Sequence, residues 1–271
     1  MGNLPKPFLK WVGGKQRLLP HLLKKIPTEF GDYHEPMVGG GALFFELSRR
    51  GLIQEAYLSD VNERLIRTYR AIRDDVDKVI SLLSHYPNDD SFFKEMRRVA
   101  PESLPDSGVA AWFLYLNRTC FNGLYRVNKS NLFNSPFGKY KKPKICNEPL
   151  LRSCSKALQK AHLSCAPFES VLEVAKPLDF VYFDPPYVPL SRTSNFTSYT
   201  VEGFGFRDHM LLRDVSWELR TEREVHVLLS NSWTDLPLEL YRNYKMEKVE
   251  ARRAVSATNK GRKVVHEALI W

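Results

Sequence analysis

The sequence predicts a doubly wound α/β fold built on a mainly parallel sheet. Residues 33–60 follow the order apolar strand, glycine turn, periodic helix and second apolar strand, and they close on Asp60. Two further apolar runs, at 179–184 and 224–231, flank a stretch at roughly 207–223 with helical periodicity. Strands that alternate with helices in this way are typical of a parallel sheet.

The predicted elements follow in order along the chain. The first strand, YHEPMV (33–38), runs into Gly39-Gly40-Gly41, and the helix ALFFELSRRG ends at Gly51. The second strand is EAYLSD, the third is DFVYFD, and the fourth is EVHVLLSN. The last segment, KVVHEALIW, is predicted to be a closing strand.

An inserted module interrupts this pattern after Asp60. Residues 61–100 have helical periodicity, and GVAAWFLYLNRTC predicts an aromatic-rich helix. The segment NGLYRVNKSNLFNSPFGKYKKPK is rich in Asn, Gly, Pro and Lys and has no acidic residue, which predicts loop or hairpin structure. We therefore assign residues 61–144 to the inserted module and residues 1–60 and 145–271 to the α/β domain.

The composition restricts the class of protein. The 271 residues include 40 Lys and Arg against 31 Asp and Glu, and the net charge of +9 favours a polyanionic partner. No apolar stretch approaches the ~18 residues of a membrane-spanning helix, and the N-terminal residues lack the apolar core of a signal peptide. None of the four cysteines forms a C-x-x-C pair, so we expect reduced thiols in a cytoplasmic protein.

The motif Asp184-Pro185-Pro186-Tyr187 follows an apolar strand and suits chemistry on an exocyclic amine. The lone pair of such an amine is delocalised into its ring, so the amine is a poor nucleophile. A carboxylate beside a rigid backbone carbonyl accepts hydrogen bonds from both N–H groups, and an aromatic face supports the base. The alternative is a strand-ending turn with an N-capping Asp.

The glycine turn and Asp60, about twenty residues beyond it, indicate a nucleotide-like ligand. By themselves they are compatible with NAD, with S-adenosylmethionine, or with tight packing of strand on helix. The absence of G-x-G-x-x-G disfavours a dinucleotide. Gly13-Gly14-Lys15 lacks the first glycine and the Ser or Thr of a phosphate-binding Walker loop.

Taken together, these motifs resemble the Dam-type DNA adenine N6-methyltransferases. The resemblance rests on PFLKWVGGK (7–15), EPMVGGGA (35–42), Asp60 and DPPY, in that order, and it extends through NGLYRVN, FNSPFGKYKKP and RRAVSATNKGRKV. It implies a Rossmann-like methyltransferase fold with a seven-stranded, mostly parallel sheet. The inserted module would be a mainly helical DNA-recognition domain that contains a β-hairpin loop.

The resemblance also implies sites for S-adenosylmethionine and for the target adenine, without a metal ion. The glycine turn would lie under the methionine part of the cofactor, Asp60 would bind the ribose hydroxyls, and Phe168 would pack on the cofactor adenine. Asp184, Pro185 and Tyr187 would hold the flipped adenine. The implied cofactor-binding residues are Trp11, Lys15, Glu35, Gly39, Gly41, Asp60, Phe168 and Asp184.

A third implication concerns the DNA sequence. In GATC-specific members of the family, residues at the places of Lys10 and Tyr140 read the outer guanine, and an Arg at the place of Arg126 reads the guanine paired with the last cytosine. These assignments agree with the usual major-groove pairings, so we expect 5'-GATC-3'. Arg126 and Tyr140 could instead contact phosphates.

The other implied DNA contacts lie in the same module. Leu124 and Pro136 would pack on the thymine methyl group, and Phe121 or Asn122 would fill the gap left by the flipped base. The implied DNA-binding residues are Lys10, Phe121, Asn122, Leu124, Arg126, Asn134, Pro136, Tyr140, Lys141 and Arg252.

The sequence thus predicts a monomeric DNA methyltransferase that acts on double-stranded DNA and has no membrane segment. Adenine N6 would take the methyl group by base flipping and direct in-line attack. Two alternatives remain, an S-adenosylmethionine-dependent RNA base methyltransferase and a catalytically inactive, sequence-specific DNA-binding protein. DPPY also occurs in RNA base methyltransferases, but the N-terminal motif and the inserted module favour DNA.

Overall fold

The computed structural model describes residues 4–187, 204–252 and 264–271. A seven-stranded sheet consists of β1 (Tyr33–Pro36), β2 (Ala56–Asp60), β3 (Ala161–Cys165), β4 (Phe180–Phe183), β5 (His226–Ser232), β6 (Met246–Arg252) and β7 (Val264–Ile270). Its spatial order is β3-β2-β1-β4-β5-β7-β6. Strands β1 to β5 are parallel, and β7 lies antiparallel between β5 and β6. The predicted α/β class with a seven-stranded, mostly parallel sheet is confirmed.

The helices of the described ranges surround this sheet. They are α1 (Leu19–Leu22), α2 (Ala42–Arg49), α3 (Glu63–Asp74), α4 (Val76–Ser84), α5 (Asp90–Arg98), α6 (Asp106–Thr119), α7 (Glu148–Leu158), α8 (Val171–Val174), α9 (Phe206–Thr221) and α10 (Asp235–Leu240). Side-chain caps begin two of them, because Asn62 accepts a bond from the Leu65 amide and Asp89 from the Phe92 amide. Within these ranges no helix has the length and apolar character needed to cross a membrane.

The five predicted strands are the inner strands of the sheet, and the two strands that the sequence analysis did not identify are its edges. In β3 only Ala161 is buried, and in β6 Val249 is the one buried residue among positions 246–250. Edge strands face solvent and lack a long apolar run, so their sequences resemble loops. The first strand also ends earlier than predicted, at Pro36, because Met37 has a φ of 68°.

Buried side chains cover both faces of the sheet. Along β4, Phe180 and Tyr182 belong to one hydrophobic cluster, while Val181 and Phe183 belong to the other. The first cluster continues through α3 into α6, the aromatic-rich helix, where Trp112, Phe113 and Tyr115 are buried. Helix α3 therefore packs on both the sheet and the inserted residues, and the proposed division into domains at residues 61 and 144 stays a prediction.

The junction between β1 and β4 is the point where strand order reverses, since β2 and β3 continue outward from β1 on one side and β5 extends from β4 on the other. Only two residue pairs join the strands, Tyr33 with Phe180 and His34 with Val181. The Asp179 carboxylate reinforces this short ladder. It accepts the Asp32 amide at 2.8 Å and the Lys176 amide at 2.9 Å, and it contacts His34 Nε2 at 2.8 Å. Ligands of such sheets bind at the carboxyl side of this junction.

Replacing Asp179 tests whether this carboxylate holds the junction together. Asp179→Ala should lower the free energy of unfolding by about 3 kcal/mol, because it leaves buried partners unpaired. Urea denaturation followed by circular dichroism measures the loss. The control is Asp32→Ala, which removes a carboxylate 4.0 Å from Lys176 but keeps the bonded amide. Equal losses in the two variants would contradict the role assigned to Asp179.

Candidate active site

The carboxyl ends of four neighbouring strands bring the predicted site residues to one edge of the sheet. Asp184 follows β4, the glycine turn follows β1, Asp60 ends β2, and Phe168 lies shortly after β3. These ends meet because the four strands are parallel and adjacent. The topology therefore gathers residues that are far apart in the sequence.

Asp184 is held through one of its carboxylate oxygens. Oδ1 accepts a bond from Lys15 Nζ at 2.7 Å and another from Ser230 Oγ at 3.1 Å. Ser230 Oγ is also 2.9 Å from the Tyr182 hydroxyl, and since serine gives its one hydrogen to Asp184, the tyrosine must donate to the serine. Burial raises the pKa of the Asp184 carboxyl, whereas Lys15 and Ser230 stabilise the ionised form.

Lys15 occupies a position that is suited to an N–H donor. Its side chain is 5% exposed, and Nζ donates to the Gly13 carbonyl at 2.6 Å as well as to Asp184. The same ammonium lies 4.4 Å from the centre of the Tyr187 ring. A carboxylate and an aromatic face, both from DPPY, thus surround one nitrogen.

The ring of Tyr187 is anchored from β7. The hydroxyl donates to Glu267 Oε2 at 2.6 Å. Burial and the nearby Glu267 carboxylate raise the pKa of Tyr187, so the phenol stays protonated and keeps this bond. Pro185 is buried, and the other three residues of the motif are half-buried.

The glycine turn is closed by Trp11 and Asp60. Gly39 has a φ of 47°, and a Cβ at this position would lie 2.6 Å from Trp11 Nε1, so no larger residue fits beside the indole. The Gly39 amide donates to Asp60 Oδ2 at 3.1 Å, and the Asn62 amide donates to Oδ1 at 2.9 Å. Burial raises the pKa of Asp60, and these two amides stabilise its ionised form.

Three other residues of the predicted cofactor set have structural contacts in the same region. Glu35 is buried and accepts bonds from the Tyr33 hydroxyl at 2.8 Å and the Phe44 amide at 3.0 Å. Burial raises the pKa of Glu35 to about 8. Gly41 precedes α2 with a φ of 62°, and Phe168 is buried in the second hydrophobic cluster.

The predicted DNA-reading segment doubles back on itself between α6 and α7. The Phe121 amide donates to the Pro136 carbonyl at 2.8 Å, and the Asn134 amide donates to the Arg126 carbonyl at 2.8 Å. Two isolated antiparallel bridges join Cys120 to Phe137 and Val127 to Phe133. Residues 120–147, all of which are described, contain no strand pairing longer than these bridges. The segment predicted to be a loop or a hairpin is therefore a hairpin-like loop.

This loop presents exposed apolar and basic side chains. Phe121 is 45% exposed, Asn122 next to it has a φ of 55°, and Leu124 is half-buried. Other predicted DNA contacts on the loop are exposed, namely Arg126, Asn134, Pro136 and Lys141. Arg252 ends β6, and its side chain lies outside the described residues.

Lys10 and Tyr140 contact each other beside the loop. Lys10 Nζ lies 5.1 Å from the centre of the Tyr140 ring, and the Tyr140 hydroxyl accepts a bond from the Asn122 amide at 2.9 Å. Burial and the nearby Arg118 lower the pKa of Lys10. A cavity of about 360 Å³ is lined by Lys10, Arg118, Tyr140, Lys141, Lys142, Pro143 and Lys144. So many cations around one opening favour a polyanion.

The sequence analysis missed four residues of this region, Tyr182, Ser230, Glu267 and Asn117. Ser230 could have been found from the pairing of adjacent strands. Phe183 of β4 pairs with Leu229 of β5, so Asp184 and Ser230 are the next residues on two neighbouring strands. The other three make contacts for which no local motif exists. Within the described residues, no group of three or more His, Cys, Asp or Glu side chains could hold a metal ion.

Comparisons with known proteins agree with this geometry. The sequence matches D12 class N6 adenine-specific DNA methyltransferases over residues 11–255. Type II methyltransferase M1.LlaDCHI of Lactococcus lactis subsp. cremoris is 41% identical over 98% of this chain and 94% of its own length. Type II methyltransferase M.MjaIII of Methanocaldococcus jannaschii is 38% identical over 98% of each chain. The DNA adenine methylase of Haemophilus influenzae is 33% identical over 97% of this chain and 92% of its own length. The chain belongs to the D12 class N6 adenine-specific DNA methyltransferase family and is an adenine DNA methyltransferase.

Proposed function

We propose that the protein, acting as a monomer, uses S-adenosylmethionine to methylate adenine N6 in 5'-GATC-3' sites of duplex DNA, after the adenine has rotated out of the helix. The family implies S-adenosylmethionine as the methyl donor. The observation that carries the proposal is the position of Lys15 Nζ, which contacts both Asp184 Oδ1 and the Tyr187 ring. A flat base with an exocyclic amine would likewise need a carboxylate that accepts its N–H groups and an aromatic face that supports its ring.

The chain's own groups favour attack by the amine in three ways. Asp184 and the Pro185 carbonyl accept the two N6 hydrogens, which draws the nitrogen towards tetrahedral geometry and directs its lone pair outward. The Tyr187 ring, fixed by Glu267, supports the plane of the base. Burial of the site strengthens these contacts, since water competes less for them.

The residues around the glycine turn fit the proposed cofactor. Asp60 is a half-buried carboxylate that would accept bonds from two ribose hydroxyls, and the glycine turn, which is bonded to Asp60 through the Gly39 amide, would lie under the methionine part of the cofactor. When bound, S-adenosylmethionine supplies a methyl group on a positively charged sulfur for direct in-line transfer to N6. Asp184 and Asp60 are carboxylates that suit such a cation, and Glu35 is proposed as a further cofactor-binding residue. Lys15, Gly41 and Phe168 complete the proposed pocket.

The exposed loop supports the proposed sequence preference. Arg126 is available for bidentate bonds to guanine, while Leu124 and Pro136 suit the thymine methyl group. Lys10 and Tyr140 form one unit that would read the outer guanine. Phe121, which is 45% exposed, and Asn122 begin the loop, and either would serve as a wedge that offsets the cost of base flipping. Asn134, Lys141 and Arg252 would contact the DNA backbone.

The two alternatives receive less support. The match to a DNA adenine methyltransferase family disfavours an enzyme for RNA bases. The intact contacts of Asp184 with Lys15 and Ser230 disfavour an inactive DNA-binding protein.

Asp184→Ala tests the catalytic assignment. The substitution removes the main acceptor for N6, so methyl transfer should fall by at least about 100-fold while DNA affinity stays nearly unchanged. Transfer of labelled methyl groups and DNA binding by anisotropy measure the two effects. Asp214→Ala, which removes an exposed carboxylate from α9, is the matched control. Normal turnover of the Asp184 variant would exclude the assigned role.

Arg126→Ala tests the reading of the last base pair. Discrimination at that pair should fall by about 1–3 kcal/mol, because a bidentate contact to guanine is lost. The measurement is kcat/KM on GATC duplexes with single substitutions at each position, in which the complementary strand already carries N6-methyladenine so that only one orientation of the site is read. Lys129→Ala, at an exposed site of the same loop, serves as the control. An equal loss on every duplex would show instead that Arg126 contacts phosphate.

Ser230→Ala tests how the Asp184 carboxylate is kept ionised. Protonated Asp184 is a poor acceptor, so kcat should fall as the pH drops through its raised pKa. Ser230 stabilises the ionised form, and its removal should move this fall to higher pH, with Ser230→Thr restoring the profile. The control is Ser216→Ala, a buried serine bonded to the Arg213 carbonyl and to Tyr244. An unchanged profile in Ser230→Ala would argue against the assigned bond.

A further inference from the structure

Asn117 lies in the last turn of α6 and is completely buried. Its side-chain amide makes three hydrogen bonds. Oδ1 accepts the Lys10 amide at 2.9 Å, and Nδ2 donates to the Lys10 carbonyl at 2.8 Å and to the Gly123 carbonyl at 2.9 Å. Both N–H donors and the oxygen acceptor of the amide are thus used, and they bond to two separate chain segments, one at Lys10 and one at Gly123.

The effect on Lys10 is close to that of a neighbouring β-strand. Its backbone N–H and C=O both bond to the same side chain, so the position of the Lys10 backbone is fixed relative to α6. The third bond fixes Gly123, which follows the proposed wedge residues Phe121 and Asn122. One buried amide therefore holds both the guanine-reading residue and the wedge.

The stem of Lys10 is also confined. Gly123 has a φ of 68°, and a Cβ there would lie 2.4 Å from Lys10 Cδ and 2.8 Å from Lys10 Cβ, so the stem crosses the glycine at close range. Beyond it, Lys10 Nζ lies over the Tyr140 ring, whose hydroxyl is bonded to the Asn122 amide. The direction of the ammonium group follows from these contacts.

We propose that Asn117 is a specificity-positioning residue, which holds Lys10 in place to read the outer guanine and keeps the wedge in register with it. The proposal rests on the proposed function, because that function assigns the outer guanine to Lys10 and Tyr140. Asn117 is fully buried and acts through these neighbours. The Arg126 carbonyl is bonded to the Asn134 amide instead, so reading of the last base pair does not depend on Asn117.

Two variants of the protein disturb the contacts among Asn117, Lys10 and Gly123 by different chemistry. Asn117→Asp keeps an acceptor for the Lys10 amide but removes both donors. Gly123→Ala places a methyl group against the Lys10 stem. Thr119→Val is the matched control. Thr119 is a buried residue of the same helix, two positions after Asn117, and its hydroxyl donates to the Tyr115 carbonyl. Lys10→Ala is the reference for loss of the reader itself.

The experiment compares kcat/KM on a GATC duplex with values on AATC and GATA duplexes, alongside thermal unfolding of each variant. In every duplex the complementary strand already carries N6-methyladenine, so the rate reports one orientation of the palindromic site. For Asn117→Asp and Gly123→Ala, the GATC to AATC ratio should fall at least about fivefold, as it should for Lys10→Ala, while the GATC to GATA ratio stays within about twofold. Thr119→Val should change neither ratio, whatever its stability.

The other outcomes distinguish a failure of the Lys10 assignment from a failure of the proposal for Asn117. If Lys10→Ala leaves the GATC to AATC ratio unchanged, the assignment of Lys10 in the proposed function is wrong, and the proposal for Asn117 falls with it. If Lys10→Ala lowers the GATC to AATC ratio but Asn117→Asp and Gly123→Ala do not, the proposal for Asn117 alone is overturned. A parallel loss of both ratios would also overturn it. Should Asn117→Asp fail to fold, Gly123→Ala decides the question.

Discussion

The ion pair between Lys15 and Asp184 anchors a segment that contacts every part of the site. Within residues 10–15, Lys10 is bonded to Asn117, Trp11 packs on Gly39, and Lys15 pairs with the proposed catalytic carboxylate, Asp184. The segment thereby touches the recognition loop, the glycine turn and the end of β4. The relative positions of these three parts therefore depend on it.

Burial gives the site its reactivity and also its electrostatic cost. A carboxylate removed from water tends to take up a proton, which would abolish its capacity as an acceptor for N6. Lys15 and Ser230 oppose this tendency at Asp184, and the amides of Gly39 and Asn62 oppose it at Asp60. The two carboxylates that the proposed chemistry needs therefore both have compensating donors. Glu35 also accepts two hydrogen bonds, but burial and the nearby Asp184 carboxylate raise its pKa to about 8.

The sequence predicted those features that have local patterns. Five inner strands follow from apolar runs, and Asp184, Tyr187 and Asp60 follow from motifs at strand ends. The edge strands β3 and β6 were not predicted, because a strand with one open side needs few apolar residues. Lys15 was assigned to the cofactor alone, whereas the structure also pairs it with Asp184. That contact, like those of Glu267 and Asn117, joins residues far apart in sequence, so no short-range pattern could indicate it.

The central claim is that these residues together methylate adenine in GATC. Its most direct test is the initial rate of methyl transfer from labelled S-adenosylmethionine to three duplexes, one with GATC, one with the same bases scrambled, and one whose GATC adenines already carry N6-methyl groups. The account predicts label on the first duplex alone. Equal labelling of the scrambled duplex would contradict the assigned base readers, and labelling of the premethylated duplex would contradict adenine N6 as the acceptor.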